Sequence, residues 1–173
     1  MKLKSKLLFK KGEIKKQVKK LAEKLNKDYD SKNPILVCIL KGAFVFLADL
    51  IRELRFPVRI DFISVSSYGD ATRTSGIVKI LKDISFDIEG EDVILIEDVL
   101  DTGLTLSYIY DFLSRKNPKS LKICVLLEKE INRTKKIKVD YRGFTIPNKY
   151  VIGYGLDFNE KFRNLPDISV MEF

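Results

Sequence analysis

A chain of 173 residues, 45% hydrophobic and 32% charged, can bury one sizeable core and has the composition of an ordinary globular domain. It contains no histidine, which excludes Ser-His-Asp and Cys-His machinery, histidine metal sites and histidine bases, and leaves proton transfer to Asp, Glu, Lys or Tyr. The net charge of +8 and pI near 9.3 admit a nucleic acid or a small polyanion as partner, while the lack of any apolar run near the roughly 18 residues of a membrane span gives a cytoplasmic reading with no membrane partner.

The basic opening MKLKSKLLFKKG has only Leu7, Leu8 and Phe9 as an apolar stretch, too short for the core of a signal peptide. Ile14, Val18, Leu21, Ala22 and Leu25 recur at helical spacing, which predicts an amphipathic helix over 12–28 whose outer, solvated face carries the lysines. PILVCIL (34–40) is a continuous apolar run, as in a strand buried on both faces. A helical stretch at 43–54 follows, and Pro57 opens a longer strand at 58–67. Residues 68–76, YGDATRTSG, are small, polar and bracketed by glycine, and so read as a loop; 78–84 then forms a hairpin partner for 58–67. VILI (93–96) is a strand, with a helix from Gly103 to about residue 115 and a strand at 121–127. Strands at 139–144 and 150–154 precede a loop-rich tail. Strands alternating with helices indicate an α/β domain with a mainly parallel sheet. Cys38 and Cys124 each sit within a β-branched apolar run and read as buried, reduced thiols; with no CxxC pair, zinc has no support.

The segment with the most chemistry runs from Glu97 and Asp98 through Asp101, Thr102, Gly103, Leu104 and Thr105, from the carboxyl end of a buried strand into a helix. Ligands of open α/β sheets bind at that edge. Backbone N–H groups from Asp101 to Thr105, with the hydroxyls of Thr102 and Thr105, make a phosphate cradle that Gly103 lets the ligand approach closely. Glu97 and Asp98 would repel phosphate, so they need a different partner. Ribose hydroxyls supply one, and Mg²⁺ bridging hydroxyls and phosphate oxygens removes the repulsion. A sugar carrying phosphates satisfies both halves of the segment. A Walker B reading lacks its GxxxxGK[ST] loop, and Gly153-Tyr154-Gly155 is only a fragment of GxGxxG, too near the C-terminus for a Rossmann unit.

On these residues the segment resembles the PRPP motif of type I phosphoribosyltransferases, and the chain is similar to the hypoxanthine phosphoribosyltransferase family over roughly residues 10–170, through four blocks in the family's order. Leu40-Lys41-Gly42-Ala43 resembles the pyrophosphate loop, where the Leu–Lys peptide can be cis. Ser66-Ser67-Tyr68-Gly69, continuing to Gly76, is similar to the family's flexible loop, so that 66–76 is expected to be a lid with Ser67 and Tyr68 closing over the reacting centre. The PRPP motif is the third block, departing from relatives only at Leu104, where many carry a polar or basic residue. LLEK and KYVIGYGLDFNEKFRNLP form the fourth.

The resemblance implies one domain over 1–173, with the type I phosphoribosyltransferase fold and a small hood built from the terminal segments. It implies Glu97 and Asp98 on the ribose, 101–105 on the 5′-phosphate, and Lys41, Gly42 and Arg163 on the pyrophosphate. Lys129 would donate to the purine 6-oxo group, Tyr150 would stack on the base and Val151 would meet its edge. Mg²⁺ would be held by Glu97 and Asp98, with Asp157 as the aspartate of a second magnesium site. The implied reaction joins hypoxanthine or guanine to PRPP, with Asp101 as general base or acid at N7, in a purine-salvage enzyme assembled as a homodimer or homotetramer. A nucleotide-sensing regulator binding nucleic acid through its lysines, on the same fold, is the rival from another class; Asp101 counts against it, because a sensor has no use for a proton-handling acid. A uracil, adenine or xanthine phosphoribosyltransferase is the rival within the class.

Overall fold

The computed structural model describes residues 4–68, 77–132, 135 and 137–172, apart from the side chains of Ser67, Tyr68 and Ile77. Beyond the end of one strand, the expected lid at 66–76 lies outside the described residues. The elements are β1 (Ser5–Phe9), α1 (Lys11–Asp28), β2 (Ile35–Leu40), α2 (Phe44–Glu53), β3 (Arg59–Tyr68), β4 (Ile77–Lys82), β5 (Asp92–Leu100), α3 (Leu104–Ser114), β6 (Ser120–Lys129), β7 (Tyr141–Ile146), β8 (Val151–Ile152) and β9 (Ile168–Met171).

The continuous apolar runs exist because the central strands are covered on both faces. Successive side chains of a strand point to opposite sides. Leu36, Cys38, Ile94, Ile96, Cys124 and Leu126 accordingly pack with Ile14, Val18, Leu21, Leu25, Phe46 and Leu50 of α1 and α2. Their neighbours Ile35, Val37, Ile39, Val93, Leu95, Ile123 and Val125 pack with Leu106, Ile109 and Leu113 of α3. The sheet order is β4-β3-β2-β5-β6-β7. Only β4 is antiparallel, pairing with β3 as the expected hairpin. Both cysteines are free and buried, and burial, aided by the charges of Glu97 and Asp98, pushes the Cys38 thiol up to about 12. Among the described residues no helix is long and apolar enough to cross a membrane.

The strand order places the site. β2 and β5 are neighbours, yet α2 leaves β2 toward one face and α3 leaves β5 toward the other. The loops after these two strands therefore diverge and open a crevice at the carboxyl edge, the topological switch point where ligands of such sheets bind.

A second sheet, ordered β1-β9-β8 and antiparallel, joins the two ends of the chain and forms the hood. Its strands add two elements that the sequence left unassigned: β1 in the opening stretch, and β9 within the loop-rich tail. Four- and five-residue strands that are half exposed carry no periodicity of their own, and Ser5 finds its partner only at Met171. The strand expected at 150–154 shrinks to Val151–Ile152. Gly153, Tyr154 and Gly155 take φ values of +93°, +53° and +97°, which no strand accommodates.

One buried acid is structural. Asp61, 5% exposed, accepts from the N–H groups of Phe62 at 2.8 Å, Ser85 at 2.5 Å and Phe86 at 2.8 Å, fixing the chain as it leaves β4. Burial alone would raise its carboxyl, but the three N–H donors and Lys82 together hold it below its ordinary value. Asp61→Ala should lower stability by about 1–3 kcal/mol in urea unfolding, through the stranded donors. Because the folded-state pKa is depressed, this contribution is present above the ordinary carboxylate range. It is lost as pH falls through the folded-state value, so wild type and variant should converge in acid.

Candidate active site

The acidic pair lies on β5 itself. The strand continues past the expected end at Ile96 to Leu100, so Glu97 and Asp98 are strand residues at the carboxyl edge, each 8% exposed. Asp98 N–H donates to Glu97 Oε1 at 3.1 Å, and Val99 N–H to Asp98 Oδ1 at 2.7 Å. Burial, followed by the charge of Asp98 beside it, raises the Glu97 carboxyl well above the usual carboxylate range. Such a pair is built to meet hydroxyl donors or a cation. The loop after β2 presses against it: a Cβ on Gly42 would fall 1.6 Å from Asp98 Oδ2, so no larger residue fits without moving that carboxylate. The preceding Leu40–Lys41 peptide is cis.

After β5 the chain turns into α3 through Gly103, whose φ of +82° only glycine adopts at no steric cost. Leu104 opens the helix and its N–H donates to Thr102 Oγ1 at 3.5 Å. Asp101 sits before the turn with its side chain 48% exposed, and Lys129 Nζ lies 2.5 Å from its Oδ2. Lys129 is itself buried, at 8% exposed. It is the last residue of β6 rather than a residue past the strand, because β6 runs two residues beyond the expected end.

The remaining residues come from the hood and the loop after it. Val151 is buried where β8 begins, and Tyr150 beside it is 44% exposed, its hydroxyl donating to the Asp157 carbonyl at 3.1 Å. Phe158 meets the Tyr150 ring edge-on at 5.6 Å. Arg163 Nη1 donates to the Gly155 carbonyl at 2.8 Å, and Nη2 lies 2.9 Å from Asp157 Oδ1. Glu160 completes the cluster, its Oε2 3.0 Å from Lys41 Nζ and 3.3 Å from Arg163 Nη2.

One cleft of about 360 Å³ is lined by Lys41, Gly42, Glu97, Asp98, Asp101, Thr105, Lys129, Tyr150, Val151, Asp157 and Arg163. Thr102, Gly103 and Leu104 are not on its wall but form the turn into α3 that leads to Thr105. Ser67 and Tyr68 end β3, and their side chains lie outside the described residues. Val65, Val99 and Leu156 are apolar parts of the wall that the sequence did not single out. Glu160 was also missed: the segment is a turn rather than a helix, so its spacing three residues before Arg163 carries no ion-pair signal of its own.

Among the described residues, no three His, Cys, Asp or Glu side chains stand close enough to hold a metal by themselves. That suits Mg²⁺, which usually takes one or two carboxylates and completes its shell with water and substrate phosphates. The hard oxygens of Glu97 and Asp98 as one site, and of Asp157 as a second on the same cleft, fit that mode.

The model of the phosphoribosyl transferase domain family matches residues 6–159. The chain is 48% identical over 170 residues to the hypoxanthine-guanine phosphoribosyltransferase of Aquifex aeolicus, covering 98% of this chain and 96% of that protein. A solved hypoxanthine-guanine phosphoribosyltransferase from Bacillus anthracis superposes with a TM-score of 0.91 at 44% identity, covering 98% of this chain and 99% of that one. The hypoxanthine phosphoribosyltransferase of Trypanosoma cruzi superposes with a TM-score of 0.92 at 41% identity, covering 99% and 93%. With this fold, this cleft and these relatives over nearly its whole length, the chain belongs to the phosphoribosyltransferase family, among the hypoxanthine-guanine phosphoribosyltransferases.

Proposed function

We propose that the chain transfers the 5-phosphoribosyl group of PRPP to hypoxanthine or guanine, giving IMP or GMP and pyrophosphate, as one catalytic domain spanning residues 1–173. The observation that carries this is the meeting of a buried acidic pair, Thr105 of the first turn of α3, a buried lysine and the two cations Lys41 and Arg163 in a single cleft at the switch point. Glu97 and Asp98 accept from the ribose hydroxyls, which anchors the sugar. Backbone N–H groups of 101–105 and the hydroxyls of Thr102 and Thr105 take the 5′-phosphate. Lys41, Gly42 and Arg163 receive the pyrophosphate.

The base rests against Tyr150, its edge met by backbone groups of Val151 and its 6-oxo group by Lys129. Asp101 manages the N7 proton. Cleavage at the anomeric carbon builds positive charge on the ribose and negative charge on the leaving group, and Lys41 and Arg163 stabilise the latter. Glu97 and Asp98 would hold one Mg²⁺ and Asp157 would serve a second, and the metal when bound neutralises charge on the diphosphate. No covalent nucleophile is required, in keeping with a chain that lacks histidine.

The basic surplus favours capture of polyanionic PRPP. We place the enzyme in the cytoplasm as a homodimer or homotetramer, with no nucleic-acid partner. The test is pyrophosphate release from PRPP and Mg²⁺ with hypoxanthine, guanine and xanthine supplied singly. Release with the first two bases is expected, and release that ignores the base would overturn the assignment.

A further inference from the structure

Glu160 stands at an awkward place for a glutamate. Phe158 N–H donates to the Lys161 carbonyl at 3.0 Å and Lys161 N–H to the Phe158 carbonyl at 3.1 Å, closing a two-residue hairpin loop. The residues at its tip, Asn159 and Glu160, have φ values of +51° and +59°. Hairpin loops with positive φ at both central positions favour Asn followed by Gly. Asparagine tolerates the left-handed region, but a glutamate Cβ there crowds the following carbonyl oxygen. A residue kept in a costly conformation beside a ligand cleft directs attention to what its side chain does.

That side chain reaches the two cations of the cleft, Lys41 at 3.0 Å and Arg163 at 3.3 Å. The Glu160 N–H also donates to Asp157 Oδ2 at 2.9 Å, which fixes the tip over the cluster. The carboxylate thus presents to Lys41 and Arg163 the same charge and the same acceptor chemistry as a phosphoryl oxygen. Lys41 and Glu160 side chains are 66% and 65% exposed, so the carboxylate can swing into water without disturbing the core.

We propose that Glu160 is a tethered competitor of pyrophosphate: its carboxylate holds Lys41 and Arg163 together and must be displaced when a diphosphate binds. This rests on the assignment of those two cations to pyrophosphate in the proposed function. Two consequences follow from one contact. The cations are already gathered before PRPP arrives, and the carboxylate is at hand to retake them when product pyrophosphate leaves. Nucleoside monophosphate, which carries no diphosphate, should not sense the competitor.

The test is calorimetric titration of pyrophosphate with Mg²⁺, and separately of IMP, into wild type, Glu160→Gln, Glu160→Gly and Lys41→Gln. Each exposed ion pair shifts an equilibrium by a factor of roughly 1.5–5. Glu160 makes two such pairs, so both Glu160 variants should bind pyrophosphate about two- to twenty-five-fold tighter, with IMP affinity unchanged. A merely structural role would move both ligands together. Glu160→Gly also restores the favoured turn sequence, so it should melt no lower than wild type and secures the result if the glutamine variant folds poorly. Lys41→Gln separates the two levels of the account. If it binds pyrophosphate as wild type does, the assignment of the cations fails and the competitor with it. If it binds weakly while both Glu160 variants match or fall below wild type, the assignment stands and the competitor is overturned.

Discussion

Asp101→Asn is expected to retain PRPP affinity while kcat falls by roughly 10²–10⁴, the usual scale for a general acid-base group. Asparagine keeps the size of the side chain and an acceptor oxygen, but it cannot take up or release a proton. The position suits the role. Asp101 lies on the cleft between the end of β5 and the start of α3, its side chain 48% exposed and therefore accessible to a bound base. Lys129 Nζ lies 2.5 Å from its Oδ2, next to the group proposed to handle the N7 proton. Stopped-flow turnover alongside PRPP titration checks the split between chemistry and binding. A variant turning over at the wild-type rate would remove Asp101 from the mechanism.

The second large effect concerns base choice. An ammonium donates hydrogen bonds and accepts none. Hypoxanthine and guanine offer a carbonyl oxygen at position 6, whereas adenine offers an amino group, so donor would face donor. Lys129 is 8% exposed on the last residue of β6, which leaves little water to relieve that mismatch. Stranding a buried donor costs roughly 1–3 kcal/mol or more, and sites built on one polar contact can reject the wrong partner by up to about 10⁴–10⁵. Adenine should thus be used at a negligible rate beside hypoxanthine. Lys129→Gln, whose amide both donates and accepts, should narrow the gap mainly by losing activity on the oxopurines. Steady-state kcat/KM for both bases on both proteins measures this. Comparable wild-type values for the two bases would contradict the role given to Lys129.

How legible all this was depends on how locally each feature is encoded. The central sheet was plain, because strands covered on both faces write themselves as uninterrupted apolar runs such as PILVCIL. The amphipathic first helix was equally plain, its buried residues being Ile14, Val18, Leu21, Ala22 and Leu25. The hood strands were not, since β1 and β9 are stable only through each other across nearly the whole chain. Strand ends were read short at Ile96 and Leu127 because polar residues of the cleft, Glu97, Asp98 and Lys129, interrupt the apolar pattern there. The same residues that hid the strand ends marked the cleft. Glu160 escaped notice because its meaning lies in a contact with Lys41, 119 residues away, that no local pattern announces. The closeness of Gly42 to Asp98 is likewise a fact of packing between β2 and β5, not of spacing.

The most direct measurement follows both products at once, with PRPP, Mg²⁺ and hypoxanthine mixed with the wild-type protein and IMP and pyrophosphate quantified over time. The account expects the two products in a one-to-one ratio and no pyrophosphate when hypoxanthine is left out. Pyrophosphate formed without the base, or formed without matching IMP, would contradict it.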